Sequence, residues 1–267
     1  MEKKKILYIS QEITPYLPET EMSEIARYLP QGIQERGREI RTFMPRYGLV
    51  NERRNQLHEV IRLSGMNMVI DDTDHPLIIK VASIQAARMQ VYFIDNEDYF
   101  HRKNLVANSK GEEFADNDER ALFFARGVLE TVIKLRWAPD LIHCQGWMTS
   151  LVPFFIKKYY YNDPLFEDSK VVYSLYNDDF KKPLDKNFKD KVLLEGIKPA
   201  DVSLLENPTY ENVSKLAVDY SDGIIKGTQE LNSEVEKYVK SAGKLFLDYQ
   251  PKETYIDAYN DFYEKVW

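Results

Sequence analysis

Three short segments of the chain concentrate the side chains able to do chemistry. The first runs Gln11-Glu12-Ile13-Thr14-Pro15-Tyr16-Leu17-Pro18-Glu19-Thr20-Glu21-Met22 and contains no glycine. A phosphate cradle needs backbone N–H groups that an anion can approach closely, and this segment offers none freely. Its carboxylates at Glu12, Glu19 and Glu21 would repel a diphosphate, although carboxylates at a helix N-terminus also have a purely structural use in complementing the dipole. The second segment, His143-Cys144-Gln145-Gly146-Trp147, combines an imidazole, an amide, a flexible glycine and an indole. That set can hold a sugar by hydrogen bonds and stacking, and His143 and Trp147 read equally well as core residues. Cys144 reads as packing and not as a nucleophile, because no second histidine stands near it in sequence and free cysteine is usually buried. The third, Leu175-Tyr176-Asn177-Asp178-Asp179-Phe180, offers an amide and two carboxylates between aromatics. It suits sugar hydroxyls and suits an Asx-type turn equally. No metal site is expected, since His58, His75, His101 and His143 are dispersed and no CxxC occurs.

These segments gain meaning from the elements that must carry them. Residues Lys5–Ser10 form a near-continuous run of strand formers, as in a strand buried on both faces of a parallel sheet. Beyond the loop with Pro15 and Pro18, Ile25, Leu29 and Ile33 recur at helical spacing, with Ser23 as the expected N-cap and Gly37 as the stop. A second strand follows over 40–44. This β-loop-α-β opening generates a parallel sheet with a right-handed crossover. Strands with hairpin-like turns are expected over 60–70, 77–84 and 89–94. Residues 117–137 read as a helix, acidic at Asp118 and Glu119 and basic at Lys134 and Arg136, which complements the macrodipole.

Two more strands, 141–144 and 171–176, complete the pattern, the first leading into a helix over 148–161. Residues 181–191, rich in Lys and Asp, read as a solvated loop or lid that a ligand would order. A helix over 213–218, a strand over Gly223–Lys226, a helix over 231–240 capped by Asn232 or Ser233, and an aromatic amphipathic helix over 255–267 close the chain. The expectation is one α/β domain over 1–267, with a Rossmann-like, mostly parallel sheet flanked by helices. In such sheets ligands bind beyond the carboxyl ends of the strands, where all three segments lie.

Composition narrows the partners. Apolar residues make up 43% and charged residues 30%, an ordinary globular balance that separates the chain from disordered compositions. With 36 Lys and Arg against 43 Asp and Glu, the net charge of −7 repels polyanions, so nucleic acid is not an expected partner. The start MEKKKILYIS lacks the apolar core of an export signal. No run of about 18 apolar residues predicts a membrane span, and the single Cys144 precludes an intramolecular disulfide. A cytoplasmic protein is expected.

In order along the chain, several motifs resemble the N-terminal catalytic domain of bacterial ADP-glucose-dependent glycogen/starch synthases. They begin with Lys5-Ile6-Leu7-Tyr8-Ile9-Ser10-Gln11-Glu12, Pro15 and Leu29-Pro30, then Glu35-Arg36-Gly37 and Pro45-Arg46-Tyr47-Gly48. Next come Val91-Tyr92-Phe93-Ile94-Asp95 with Tyr99-Phe100, and Asp116-Asn117-Asp118-Glu119-Arg120 with Phe123-Phe124. Pro139-Asp140-Leu141-Ile142-His143 with Trp147 and Leu151-Val152-Pro153 complete the set. The similarity is clear over residues 3–180 and looser beyond, where Gly196-Ile197, Ala200-Asp201 and Pro208-Thr209-Tyr210 echo a later segment.

The resemblance implies the N-terminal half of a GT-B glycosyltransferase fold. It also implies transfer of glucose from ADP-glucose to the non-reducing end of an α-1,4-glucan, with retention and without metal or other cofactor. It implies sugar-side contacts from His143, Gly146, Trp147, Tyr176 and Asn177. The departures are specific. Where the family has Lys-x-Gly-Gly-Leu, this chain has Pro18-Glu19-Thr20-Glu21-Met22, a donor loop without its cation or glycines. Gln145-Gly146-Trp147 replaces His-Asp-Trp, which puts Gln145 at the position of a family site histidine, and Leu175-Tyr176-Asn177 replaces Ile-His-Asn. The family's second Rossmann domain, which binds most of the nucleotide, has no room in 267 residues.

Three expectations follow from that pattern. One is a transferase working alone or with a chain that supplies the missing half. Another is a degenerate glucan- or nucleotide-sugar-binding regulator of glycogen metabolism. The last is an interaction module that self-associates or binds a partner over the missing-domain face. An exposed stripe of Tyr259, Phe262, Tyr263 and Trp267 would favour the interaction module, and the same stripe also reads as core-facing.

Overall fold

A computed structural model describes residues 3–267. In chain order it contains β1 (Lys5–Ser10), α1 (Glu21–Glu35), β2 (Glu39–Pro45), β3 (His58–Glu59), β4 (Met66–Ile70), β5 (Thr73–Ile84) and β6 (Met89–Asp95). Then come α2 (Glu97–Phe100), α3 (Asn117–Leu135), β7 (Leu141–Gln145), α4 (Leu151–Lys158), β8 (Lys170–Leu175) and α5 (Phe188–Val192). The last elements are α6 (Tyr210–Asp219), β9 (Gly223–Lys226), α7 (Ser233–Ser241), β10 (Leu245–Leu247) and α8 (Tyr255–Val266). The strands order as β10-β9-β8-β7-β1-β2-β6-β5-β3, with β4 paired to β5 off this path. Pairing is parallel from β10 to β6 and antiparallel where β5 meets β6, β4 and β3.

Strand alternation divides the core into two layers. Leu7 and Ile9 of β1 face the layer shared with α3, α4 and α6, while Ile6 and Tyr8 face α1 and α8. In α1, Ile25, Leu29 and Ile33 supply the apolar stripe to the second layer, as their spacing predicts. Helix α8 completes that layer with Tyr259, Phe262 and Tyr263, each at most 3% exposed. Tyr259, Phe262 and Tyr263 are therefore core, as the core-facing reading of the stripe has it, and Trp267 is half-buried at its end.

Several local expectations change. The N-cap of α1 is Thr20, whose hydroxyl accepts from the Ser23 N–H at 3.0 Å while Ser23 Oγ accepts from the Thr20 N–H at 2.8 Å. Ser23 is thus the returning half of a capping box. Residues 60–70 are not one strand: only β4 is extended, because a turn closes through Leu63 N–H to the Val60 carbonyl at 2.9 Å. The 181–191 segment is not a free lid. Its Lys181 and Lys182 N–H groups donate to Glu113, Phe188 is buried, and Lys191 Nζ lies 2.8 Å from Asp118 and 2.7 Å from Glu119. Among the described residues no helix is long and apolar enough to cross a membrane.

Candidate functional site

The chain leaves β1 toward β2 on one side and returns to β7 on the other, so the sheet order reverses between β1 and β7. The loops after two such strands diverge and leave a crevice, the usual ligand position in open α/β sheets. Here a cleft of about 600 Å³ opens at that place. Its walls come from the loops after β1, β7, β8 and β9, through Gln11 and Glu12, Trp147, Asn177 to Asp179, and Thr228.

The first wall is organised by α1. Thr20 caps the helix, and its hydroxyl also donates to Glu12 at 2.9 Å. Glu21 opens the first turn, where a carboxylate complements the helix dipole, and it also lines the cleft. Pro18 and Glu19 are exposed and lie outside the lining. Of the sequence-expected donor loop, Thr20, Glu21 and the following Met22 reach the cleft.

The second wall depends on Gly146, whose φ of +88° favours glycine. A Cβ there would meet Gln11 Oε1 at 2.9 Å and Met22 Sδ at 3.0 Å. The Gly146 carbonyl accepts from Thr149 Oγ1 at 2.8 Å and Tyr173 Oη at 3.2 Å, and Gln11 Oε1 accepts the Met148 N–H at 3.1 Å. Gly146 therefore shapes the loop and contributes no side chain to a ligand. Trp147 lines the cleft floor but is 1% exposed, with its ring edge-on to Phe180 at 4.9 Å. It presents no open face for a sugar to stack on.

Two sequence-selected residues lie behind the cleft. His143 is fully buried opposite Tyr8, its Nδ1 2.6 Å from Tyr263 Oη and its Nε2 2.6 Å from Ser174 Oγ. Burial pushes its pKa down to about 3, which keeps it neutral. It is a satisfied core histidine beneath α8, because its position in β7 points it to the same layer as Leu141. Gln145, two residues on, is also fully buried, with Oε1 accepting from Ser10 Oγ at 2.5 Å and Nε2 3.5 Å from Tyr176 Oη. It supports the cleft from below and does not line it.

The third wall carries the exposed chemistry. Asn177 and Asp179 are exposed, and Tyr176 lines the cleft while remaining 3% accessible. Gly227 lets that ring lie flat, since a Cβ there would come within 2.7 Å of it. Asp178 accepts the Trp147 N–H at 2.9 Å and lies 3.0 Å from Tyr210 Oη, which also donates to the Tyr176 carbonyl at 2.9 Å. One phenolic proton serves two acceptors unless Asp178 itself is protonated and donates to Tyr210. Burial, opposed by the bonds from Trp147 and Tyr210, pushes Asp178 up to about 7. Burial also raises Glu12, against the Thr20 and Gln11 hydrogen bonds.

The lining as a whole sets Glu12, Glu21, Asp178 and Asp179 against Lys181. Such a surface suits hydroxyl donors and disfavours a diphosphate. Among the described residues no cluster of three or more His, Cys, Asp and Glu side chains is placed to hold a metal. Thr228 and Val106 were not singled out from sequence. Thr228 obeys the rule used for the other loops, lying just beyond the carboxyl end of β9, whereas Val106 sits in the long α2–α3 connection with no periodic signal.

Comparison with known proteins agrees with this architecture. The chain matches the model of the starch synthase catalytic domain over residues 5–244. It is 30% identical to glycogen synthase of Chlorobaculum parvum across 95% of this chain and 60% of that protein. It is 34% identical to glycogen synthase of Chlorobium luteolum across 79% of this chain and 42% of that protein. The chain thus spans about half the length of the curated relatives it matches. The catalytic domain of Starch Synthase IV from Arabidopsis thaliana, solved with ADP and acarbose, superposes with a TM-score of 0.74 over 92% of this chain and 51% of that one, at 15% identity. That likeness places the fold as one half of a GT-B arrangement. The chain belongs to the starch synthase catalytic domain family.

Proposed function

We propose that this domain forms the glucan-facing half of an α-1,4-glucosyl transfer site that uses ADP-glucose as donor. The observation that carries the reading is the cleft at the β1/β7 reversal, lined by an exposed amide and carboxylates with few cations. Family membership supplies the reaction. Asn177, Asp178 and Asp179 offer acceptors and a donor to sugar hydroxyls, with Trp147 and Tyr176 as the apolar floor. Gln145, placed where the family has a site histidine, acts by holding Tyr176 and Ser10 in position.

A departing diphosphate needs positive charge preorganised around it. Lys181 alone cannot balance the four carboxylates of this cleft, so the compensating cations belong to a second domain facing it, in the same polypeptide or another. A second reading, glucan or nucleotide-sugar binding without transfer, uses the same cleft and differs in predicting no glucose incorporation.

The deciding experiment measures incorporation of labelled glucose from ADP-glucose into glycogen, alongside retention of the protein on glycogen. Transfer establishes the first reading. Retention without transfer, persisting when candidate second domains are added, establishes the binding reading, and loss of both removes glucan from the site.

A further inference from the structure

We propose a second α-glucan subsite on the outer face of α1, continuous with the cleft and built from tyrosines. It rests on the glucan reading of the cleft and extends it. A separate recess of about 280 Å³ lies between α1 and the segment leading into α8. Tyr28 and Tyr249 wall it, with Tyr255 at its base. Tyr28 is 47% exposed, and the Arg27 guanidinium sits 4.9 Å from its centroid. The guanidinium lies over the ring and holds its orientation.

The polar complement is that of a polyol site. Lys252 Nζ bridges to Glu24 at 3.0 Å on the rim, and Gln250 adds an amide. Aromatic faces accept the C–H face of a sugar, while carboxylate, amide and ammonium groups pair with its hydroxyls. Glu21 and Glu24 oppose a phosphate-bearing ligand, so the class selected is a neutral carbohydrate.

Continuity with the cleft comes from Glu21, which lines both cavities. Glu21, Glu24 and Tyr28 follow one another at helical spacing along one face of α1, about 10 Å of path over two turns. A glucan leaving the cleft over the first turn of α1 meets these three side chains in sequence. The subsite thereby lengthens the grip on a polymer without adding to the chemistry.

The test is calorimetric titration of the full chain with maltoheptaose. Tyr28→Ala combined with Tyr249→Ala is expected to weaken binding at least tenfold at an unchanged melting temperature, and Tyr28→Trp to retain it. Affinity unchanged in the double variant, but reduced by Asn177→Ala with Asp179→Ala, overturns the subsite and leaves the cleft reading standing. Affinity reduced only by the tyrosine variant keeps the subsite and removes the glucan role of the cleft. Absence of binding by the unaltered chain overturns both.

Discussion

Two polar regions lie at successive positions along the same strands and meet opposite fates. Mid-strand, under α8, His143, Ser174 and Tyr263 saturate one another through 2.6 Å contacts and never see solvent. Beyond the strand ends, Asn177 and Asp179 keep their side chains exposed, and burial pushes Asp178 up to about 7. An imidazole looks more like catalytic machinery than an asparagine does. What separates them is whether the fold has already supplied partners, since a satisfied buried group has nothing left to offer a substrate.

The contrast is sharpest at His143. His143→Ala removes a buried ring and strands the Tyr263 and Ser174 hydroxyls, which should cost about 2–4 kcal/mol. Urea unfolding measures it, with glycogen retention of the folded fraction expected to be intact. A loss of retention at full stability would place His143 in the site after all.

The Asp178 effect is intermediate and depends on pH. Its folded pKa is raised to about 7, above the unfolded value of about 3.9. The sign follows from linkage: the neutral carboxyl contributes stability that is complete below about pH 4 and is lost as pH rises through about 7. Asp178→Asn keeps an acceptor for Trp147 N–H and a donor for Tyr210. The variant should therefore flatten the decline in melting temperature between about pH 5 and 8 relative to the unaltered chain. Parallel curves for the two proteins would show that Asp178 is ionised throughout.

The smallest stability effect belongs to the rim. Asn177→Ala should change unfolding free energy by less than about 0.5 kcal/mol while weakening maltoheptaose binding several-fold. A stability loss comparable to that of His143→Ala would erase the distinction between the two regions.

Much of the architecture is legible in the sequence because it is local. The spacing of Ile25, Leu29 and Ile33 and the apolar run of β1 reveal their partners without the partners being known. Strand alternation even carries the fate of His143, since Leu141 two residues earlier belongs to the buried face. The missed parts are non-local. Lys191 reads as a solvated lysine until Asp118 and Glu119, far away in sequence, are brought against it. Thr20 and Ser23 are each other's cap, so the pattern alone favours either one. Strand β10 spans three residues, two of them exposed, and exists only because β9 offers an edge. At the cleft, the loops could be named from the strand-end rule, but the order in which residues line it depends on the turn at Gly146.

The extremities of the sheet carry a different consequence. A sheet border displays unpaired amide and carbonyl groups that can recruit a strand from another molecule, and short border strands blunt that tendency. This sheet ends on β10 with three residues at one border, and on β3 with two and β4 with five at the other. β10 and β3 are too short to template an incoming chain, and β4, the longest of the three border strands, is the one place where a strand from another molecule has room to add.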